Sequence, residues 1–164
     1  MASLESGKSV ITLTKVDFKP YLENLCTEFK TLVAIENGIF NYDLAGENYI
    51  LNAEVFHLEN AINNILDNAK KYSPEPEIHL KAYKDGHRLV VEVTDNGIGI
   101  SKEDSQRVFR KFYRVTNGDL HSEKGYGLGL SYVTKVIKKH RGKVQMSSEE
   151  KKGTKVRLTI PIVS

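Results

Sequence analysis

Four polar or charged residues are spaced so that a helix would carry all of them on one face: Asn64, Asn68, Lys71 and Tyr72. An α-helix turns by about 100° per residue, so these side chains fall on one narrow stripe. A carboxamide oxygen is a hard ligand that suits Mg²⁺, an ammonium group pairs with phosphate, and a phenol ring offers a flat face to a base. The same residue types also occur on ordinary solvent-facing helices, so the stripe alone leaves both interpretations open.

A helix from about Ala53 to Tyr72 must position this stripe. Ser73-Pro74-Glu75-Pro76 ends the helix because proline disfavours helical conformation in the residue before it. Beside the polar stripe runs an apolar stripe, which predicts a face packed on a core: Leu58, Ala61, Ile62, Ile65 and Ala69.

A predicted hairpin brings a carboxylate to the rim of a sheet. Apolar residues alternate with polar ones at 78–82 and again at 89–93, and Asp85-Gly86 supplies a tight turn between these strands. The second strand ends at Asp95, which is followed by Gly97 and Gly99. A carboxylate there could accept a hydrogen bond from an exocyclic amine such as that of adenine, with the glycines letting a flat ring lie close. The alternative is a turn aspartate bonded to its own backbone.

A third candidate segment combines glycines with the start of a helix. Gly125, Gly127 and Gly129 precede an apolar-periodic stretch, and glycines before a helix let backbone N–H groups approach a phosphate. The polar loop 115–124 in front of them is typical of a lid. The segment is not a P-loop, since Gly-x-x-x-x-Gly-Lys-[Ser/Thr] does not occur, and a tight connection remains the alternative.

Composition limits the classes of protein to consider. With 164 residues, 40% of them hydrophobic, the chain fits one domain, which we place at 9–164 after a linker at 1–8. A net charge of +3 does not predict a nucleic-acid or membrane partner, and the lysines near His140 suit a helix C-terminus. Cys26 is the single cysteine, which fits a reducing compartment. It lies among apolar residues, which predicts that it packs in the core. No run approaches the ~20 apolar residues of a membrane helix, so a soluble, cytoplasmic domain is expected.

The predicted element order is β, α, β, β, α, β, β, short α, loop, α, β, β. It begins with a β-prone run at 10–14, and Asp17 can cap the first helix. Ile39–Tyr42 and Tyr49–Leu51 are predicted strands around a turn, and Ser101 can cap the short helix. Strands and helices mix without strict βαβ alternation, which predicts an α+β two-layer sandwich: a mixed sheet with helices on one face.

Four segments together resemble the nucleotide-binding boxes of sensor histidine kinases. Residues 64–73 are similar to the asparagine-rich box, 95–99 to the first glycine box, 109–114 to the phenylalanine box and 125–131 to the second glycine box. Their order and spacing match over nearly the whole chain, from about Val10 to Pro161. The resemblance implies the Bergerat fold, which gyrase, heat-shock chaperone and mismatch-repair ATPases share.

Carried over by position, the resemblance implies roles for individual residues. Asn68 would ligate Mg²⁺ with Asn64 beside it at the phosphates, and Tyr72 and Asp95 would hold the adenine of ATP. Lys71 and Arg114, which ends the phenylalanine box, would act at the phosphates during catalysis. Gly97 and Gly99 would shape the base pocket, and the second glycine box would approach the phosphates with Gly125, Tyr126, Gly127, Leu128 and Gly129. Tyr126 stands where the family often has threonine, and Arg141 interrupts a common His-Gly-Gly turn.

Position 64 helps to choose among the relatives. Gyrase-type enzymes have a water-activating glutamate one helical turn before the metal asparagine, whereas Asn64 cannot act as a general base. The resemblance therefore implies transfer of the ATP γ-phosphate to a histidine on a separate dimerisation domain of the parent protein, with a response regulator as an indirect partner. The parent would be membrane-anchored, with this domain touching neither membrane nor nucleic acid. Two alternatives remain, a nucleotide-sensing module without phosphotransfer and a gyrase-type conformational ATPase.

Overall fold

The computed structural model describes residues 11–99 and 126–163 of the 164-residue chain, and the side chains of 126–129 lie outside that description. The helices among these residues are α1 (Lys19–Ile35), α2 (Val55–Lys71) and α3 (Tyr126–Lys139). The strands are β1 (Thr14–Asp17), β2 (Ile39–Leu44), β3 (Ile50–Ala53), β4 (Glu77–Asp85), β5 (Arg88–Asp95), β6 (Lys143–Glu149) and β7 (Gly153–Pro161). None of these helices is long and apolar enough to span a membrane. The short helix predicted after Ser101 falls outside the described residues.

Five of the strands form one mixed sheet in the order β2-β4-β5-β7-β6. β2 runs parallel to β4, and the remaining neighbours are antiparallel. β1 and β3 form a separate two-stranded antiparallel sheet. The mixed sheet predicted from the sequence is confirmed.

The core lies between one face of this sheet and the helices. Buried residues alternate with exposed ones over the first six residues of β4. Leu80, Val91 and Leu158 of three neighbouring strands belong to one apolar cluster with residues of α1, α2 and α3. Burial of each such side chain contributes about 1.5–3 kcal/mol to folding. The fold is a two-layer α/β sandwich.

Helix α2 closely matches the helix predicted at 53–72. Glu54 caps its N-terminus, since the carboxylate accepts a hydrogen bond from the His57 amide at 2.8 Å. At its other end Lys70 and Lys71 place positive charge in the last turn, where the helix dipole favours it. Its apolar stripe is buried as predicted, and it presents the polar stripe beside that core.

The β4–β5 hairpin also forms at the predicted turn. Asp85 pairs with Arg88, which leaves Gly86 and His87 as a two-residue connection. Gly86 has φ 60°, a conformation that glycine adopts without steric cost. Because the turn fixes the register, β5 ends at Asp95 on the edge of the sheet that carries the candidate site.

The N-terminal β-prone run at 10–14 is placed too early. The strand is Thr14–Asp17, and pairing with Ile50–Ala53 determines its limits. The Asp17 carboxylate accepts hydrogen bonds from the amides of Lys19 at 3.1 Å and Tyr49 at 2.9 Å. The first of these bonds joins the last residue of the strand to the start of α1. A distant partner, rather than local β-propensity, sets these bounds.

Strands β2 and β3 do form on either side of the turn near Gly46, but they do not pair with each other. β2 joins the five-stranded sheet through β4, whereas β3 pairs with β1. The turn therefore carries the chain from one sheet to the other.

Cys26 packs in the core as predicted. Its side chain is fully buried, and this burial raises the pKa of the thiol to about 12. A thiol with so high a pKa carries almost no thiolate at neutral pH and is therefore a packing residue.

Candidate functional site

The polar stripe of α2 emerges at the C-terminal half of the helix. Asn64 and Asn68 are half-buried one helical turn apart, and Lys71 is exposed in the last turn. Tyr72 is the C-cap residue, whose amide donates to the Asn68 carbonyl at 3.1 Å. The predicted stripe thus exists, with its carboxamides closest to the core.

The side chain of Asn68 has an unusual environment. Its Nδ2 atom is buried and donates no hydrogen bond to any described residue. Leaving a buried donor unpaired costs about 1–3 kcal/mol. Helix packing does not require a buried, unpaired Nδ2. The side-chain carbonyl oxygen of Asn68 also has no hydrogen-bond partner among the described residues.

Asp95 is held by backbone hydrogen bonds at the end of β5. Its Oδ1 atom accepts hydrogen bonds from the amides of Gly97 at 2.8 Å and Thr154 at 3.2 Å. The first of these is the Asx-type turn bond that was the alternative to a binding role. The Oδ2 atom makes no hydrogen bond with the described residues, so it is available to a ligand. Burial raises the pKa of this carboxyl group, and the two backbone hydrogen bonds partly offset that effect.

The loop after Asp95 is joined directly to the end of α2. The Ile98 amide donates to the Tyr72 carbonyl at 3.0 Å. A Cβ atom on Gly97 would lie 2.6 Å from that same carbonyl oxygen and 2.9 Å from the Ser73 hydroxyl, so only glycine fits this approach. The asparagine-bearing helix and the Asp95 loop therefore meet at one place, as their predicted shared role requires.

The turn between β6 and β7 supports the same loop, and sequence analysis did not find this contact. The Lys151 amide donates to the Ile98 carbonyl at 2.6 Å. Gly99, at φ 71°, packs so closely against Glu149 that a Cβ would collide with the Glu149 carbonyl, and Gly153, at φ 113°, packs in the same way against Asp95. Gly153 inside a charged turn was the one available signal in the sequence.

The second glycine box lies only partly within the described residues. Helix α3 begins at Tyr126, so Gly127, Leu128 and Gly129 lie in its first turn. The sequence instead predicts that these glycines precede the helix. The first four amides of a helix have no partner within the helix, so glycines at these positions still present N–H groups at its N-terminus. Gly125, Arg114 and the predicted lid 115–124 fall outside the described residues.

Two polar contacts join α3 to the N-terminal end of α2. The Nε2 atom of His140 accepts a hydrogen bond from the Glu54 amide at 3.0 Å, and the Tyr132 hydroxyl lies 2.6 Å from Nδ1 of His57. The residue just after α3 contacts the N-cap of α2, and a residue in the middle of α3 contacts a residue further along α2, so the two helices run antiparallel. This direction brings the N-terminus of α3 toward the half of α2 that carries Asn64.

A metal at this site would need ligands other than carboxylate and imidazole side chains. In the described parts of the chain, no three His, Cys, Asp or Glu residues are grouped so that they could hold a metal ion. The carbonyl oxygen of Asn68 fits Mg²⁺, which takes few protein ligands and is otherwise held by phosphate oxygens and water. The donor set suits a metal that arrives with a phosphorylated ligand.

The family-model comparison identifies the class of protein. Residues 53–164 match the model described as histidine kinase-, DNA gyrase B-, and HSP90-like ATPase, and the matched residues include α2, the Asp95 loop and α3. The chain belongs to this family, and family membership makes it an ATP-binding domain.

Sequence relatives narrow the class to sensor kinases. The chain is 35% identical over 166 residues to the sensor protein RprX of Bacteroides fragilis, a match that covers 99% of this chain and 32% of that protein. It is 26% identical over 164 residues to the sensor protein kinase WalK of Staphylococcus haemolyticus, covering 98% of this chain and 27% of that one. The chain therefore spans about a third or less of the length of these relatives.

Solved structures show the same fold. The catalytic domain of the histidine kinase ThkA superposes with a TM-score of 0.78 at 22% identity, over 92% of this chain and 95% of that chain. Full-length ShkA in complex with AMPPNP superposes with a TM-score of 0.79 at 21% identity, over 95% of this chain and 32% of that chain. The predicted Bergerat architecture is that of a histidine kinase catalytic domain.

The contact between the β6–β7 turn and Asp95 predicts different outcomes for two glycine substitutions. Gly153→Ala is expected to lower the free energy of unfolding by about 2–4 kcal/mol, because a Cβ both strains the positive φ and collides with the Asp95 carbonyl. Gly86→Ala, at φ 60° with open space around it, should cost only about 1 kcal/mol. Urea unfolding followed by circular dichroism measures both, and equal losses would mean that the turn shifts to relieve the collision.

Proposed function

We propose that this chain is the catalytic portion of a two-component sensor histidine kinase. It binds Mg-ATP and transfers the γ-phosphate to a histidine on a separate dimerisation domain of the parent protein. The resulting phosphohistidine would in turn pass its phosphoryl group to a response regulator. On this proposal the domain works in the cytoplasm, beside the membrane that anchors its parent.

The observation that favours kinase over ATPase is the pair of carboxamides on α2. Asn64 lies one turn before Asn68 on the half-buried stripe, where a gyrase-type enzyme has its glutamate. A carboxamide does not accept a proton from water at neutral pH, so the polar stripe provides ligands without a general base. ATP held there should be hydrolysed slowly and keep its γ-phosphate for another acceptor.

Asn68 is proposed as the Mg²⁺ ligand. Its orphaned Nδ2 supports this role, because an amide held in that orientation directs its carbonyl oxygen away from the core. Mg²⁺ bound there would neutralise phosphate charge during transfer. Asn64 would lie beside it at the phosphates.

Asp95 is proposed to recognise adenine. Oδ1 is fixed by two backbone amides, so the carboxylate has one orientation and Oδ2 can accept from the exocyclic amine. Gly97 and Gly99 leave room beside it, and Tyr72 would line the base pocket. A site that pairs a buried acceptor with a donor on the ligand rejects bases that lack that donor.

Lys71 and Arg114 are proposed to act on the transferring phosphate. Loose phosphoryl transfer needs little covalent help from the protein, so positioning and charge stabilisation supply most of the catalysis. The backbone at Gly125, Gly127 and Gly129, with Tyr126 and Leu128 between them, would approach the phosphates at the start of α3.

The metal role can be tested at Asn68. Asn68→Ala should weaken Mg-ATP binding at least about tenfold and remove its dependence on Mg²⁺, since the hard oxygen ligand is lost. Its thermal stability should not fall with the affinity, because the substitution also removes a buried donor that has no partner among the described residues. Calorimetric titration with and without Mg²⁺ measures the first effect. Asn63→Ala, on the exposed side of the same helix, is the control, and unchanged affinity in Asn68→Ala would exclude the metal role.

Asp95→Asn separates base recognition from turn formation. The variant amide can still accept the two backbone N–H groups but presents a group that can donate, so ATP affinity should fall about tenfold and the preference for ATP over GTP should shrink. Because burial raises the pKa of Asp95 in the folded state, ionisation costs stability as pH rises through that pKa. The variant should therefore melt no lower than the wild type at pH 7.5. Normal nucleotide preference in the variant would leave Asp95 with only its turn role.

The phosphotransfer itself is tested by adding the acceptor. Alone with radiolabelled ATP, the chain should hydrolyse it slowly and remain unlabelled. With the dimerisation domain of its own parent, it should place acid-labile, base-stable label on that domain, weakly because the two parts are no longer tethered.

Arg114→Ala should reduce this transfer more than it reduces ATP binding, since the guanidinium is assigned to charge that develops during transfer. Arg88→Ala, an exposed arginine at the start of β5, is the control. Rapid ATP turnover by the chain alone would contradict the kinase proposal and favour an ATPase. Binding without transfer would favour a nucleotide-sensing module.

A further inference from the structure

We propose that His140 is a positioning residue for the nucleotide site. Its neutral imidazole fixes the C-terminal end of α3 to the N-terminal cap of α2, and this junction sets where the start of α3 lies relative to Asn64 and Asn68. The inference rests on the proposed function, because it concerns the same nucleotide site.

The hydrogen bonds of His140 define its protonation state. The side chain is 2% exposed, and its Nδ1 atom lies 2.7 Å from the Val136 carbonyl, which can only accept, so Nδ1 carries the proton. Nε2 faces the Glu54 amide at 3.0 Å, which can only donate, so Nε2 is unprotonated. Burial lowers the pKa of this imidazole, which agrees with a neutral ring. Both ring nitrogens are therefore committed to single partners on two different helices.

A second contact closes the junction into a ring. The Glu54 carboxylate accepts from the His57 amide at 2.8 Å, and the His57 imidazole meets the Tyr132 hydroxyl at 2.6 Å. Tyr132 is 5% exposed and lies on α3, which ends one residue before His140. The chain of contacts thus runs from α3 to the cap of α2, along the first turn of α2, and back to α3. Two separate attachments on each helix fix rotation as well as distance.

The junction and the candidate site lie on the same two helices. At 1.5 Å per residue, Asn64 is roughly 10 Å along α2 from His57, and Gly129 is roughly 4.5 Å along α3 from Tyr132. A helix over such lengths behaves as a rigid rod, so a shift at the junction is transmitted to the N-terminus of α3. Phosphate contacts tolerate little misplacement, since a displacement of about 1 Å can cost a hundredfold in rate.

The test compares ATP-analogue affinity and thermal stability across a small set of variants of the 164-residue chain. His140→Leu keeps the volume and removes both hydrogen bonds, and Tyr132→Phe removes only the hydroxyl. We expect His140→Leu to raise the Kd about tenfold and Tyr132→Phe about threefold, measured well below each melting temperature. His140→Gln, which retains a donor and an acceptor, should restore the affinity to within about threefold of wild type.

The matched control is Tyr49→Phe, which deletes another buried hydroxyl from the far side of the core. Tyr49 is fully buried and donates to the Ala45 carbonyl at 2.7 Å. This variant should lose stability as the junction variants do but bind the nucleotide normally. Nitrogen chemical shifts of His140 report the tautomer directly, and a protonated Nε2 in the neutral ring would overturn the inference.

The affinities distinguish this inference from the proposed function. If the wild-type chain does not bind ATP, the proposed function fails. If the wild type binds and His140→Leu binds equally well at reduced stability, His140 is a core residue only and the inference is wrong. If His140→Gln is as impaired as His140→Leu, volume rather than hydrogen bonding is responsible, which also contradicts the inference.

Discussion

The hydrogen bond from the Ile98 amide to the Tyr72 carbonyl, at 3.0 Å, holds the glycine loop after β5 against the end of α2. Gly97 permits this approach, because a Cβ atom at that position would lie 2.6 Å from the Tyr72 carbonyl oxygen. Once the segments are joined, the length of β5 and the register of its hairpin decide where Asp95 lies. The β6–β7 turn then contacts the loop from the other side through Ile98 and Asp95. The site is thus a place where backbone contacts, more than side-chain packing, define the geometry.

Two side chains in this region reduce stability because they are withdrawn from water. Asn68 has a buried donor without a partner among the described residues, and Asp95 is a carboxyl group whose pKa is raised by burial. The unpaired donor costs about 1–3 kcal/mol. Gly99 and Gly153 adopt positive φ angles and pack against neighbouring carbonyls, where a side chain would collide. These residues lie where α2, β5 and the β6–β7 turn meet, while the core around Leu66 and Leu80 shows ordinary apolar packing. Their concentration in one place is the physical argument for a binding site.

The elements with strong local signals could be predicted from the sequence. The 3.6-residue apolar period of α2 and the alternation around Gly86 specified a helix and a hairpin that the structure contains at nearly the same limits. The limits of β1 could not be predicted in this way, since its pairing with Ile50–Ala53 lies more than thirty residues away. The separation of β2 from β3 has the same cause: both are β-prone, and only the sheet order decides their partners.

The candidate site shows the same division between local and distant information. Asn68, Asp95 and Gly97 were recognisable by type and spacing, and the structure brings them to one place. The hydrogen bond from the Thr154 amide to Asp95 was not predictable, because every residue except proline carries the same backbone donor. The role of His140 was not predictable either, since its two partners are backbone atoms in different parts of the chain.

On the proposed function, the phosphates would lie between two antiparallel helices. The end of α2 would contribute carboxamides and an ammonium group, and the start of α3 would contribute backbone amides, so the described residues would offer the phosphates donors and ligands. Asp95 is a half-buried carboxylate whose Oδ1 is bonded to two amides, and its position at the rim of the sheet suits a base rather than a phosphate. No carboxylate or imidazole on the polar stripe can take a proton from an attacking nucleophile. On the proposed function, the polar stripe supplies no general base, so it suits a nucleophile that carries its own basic nitrogen, as a histidine imidazole does and water does not.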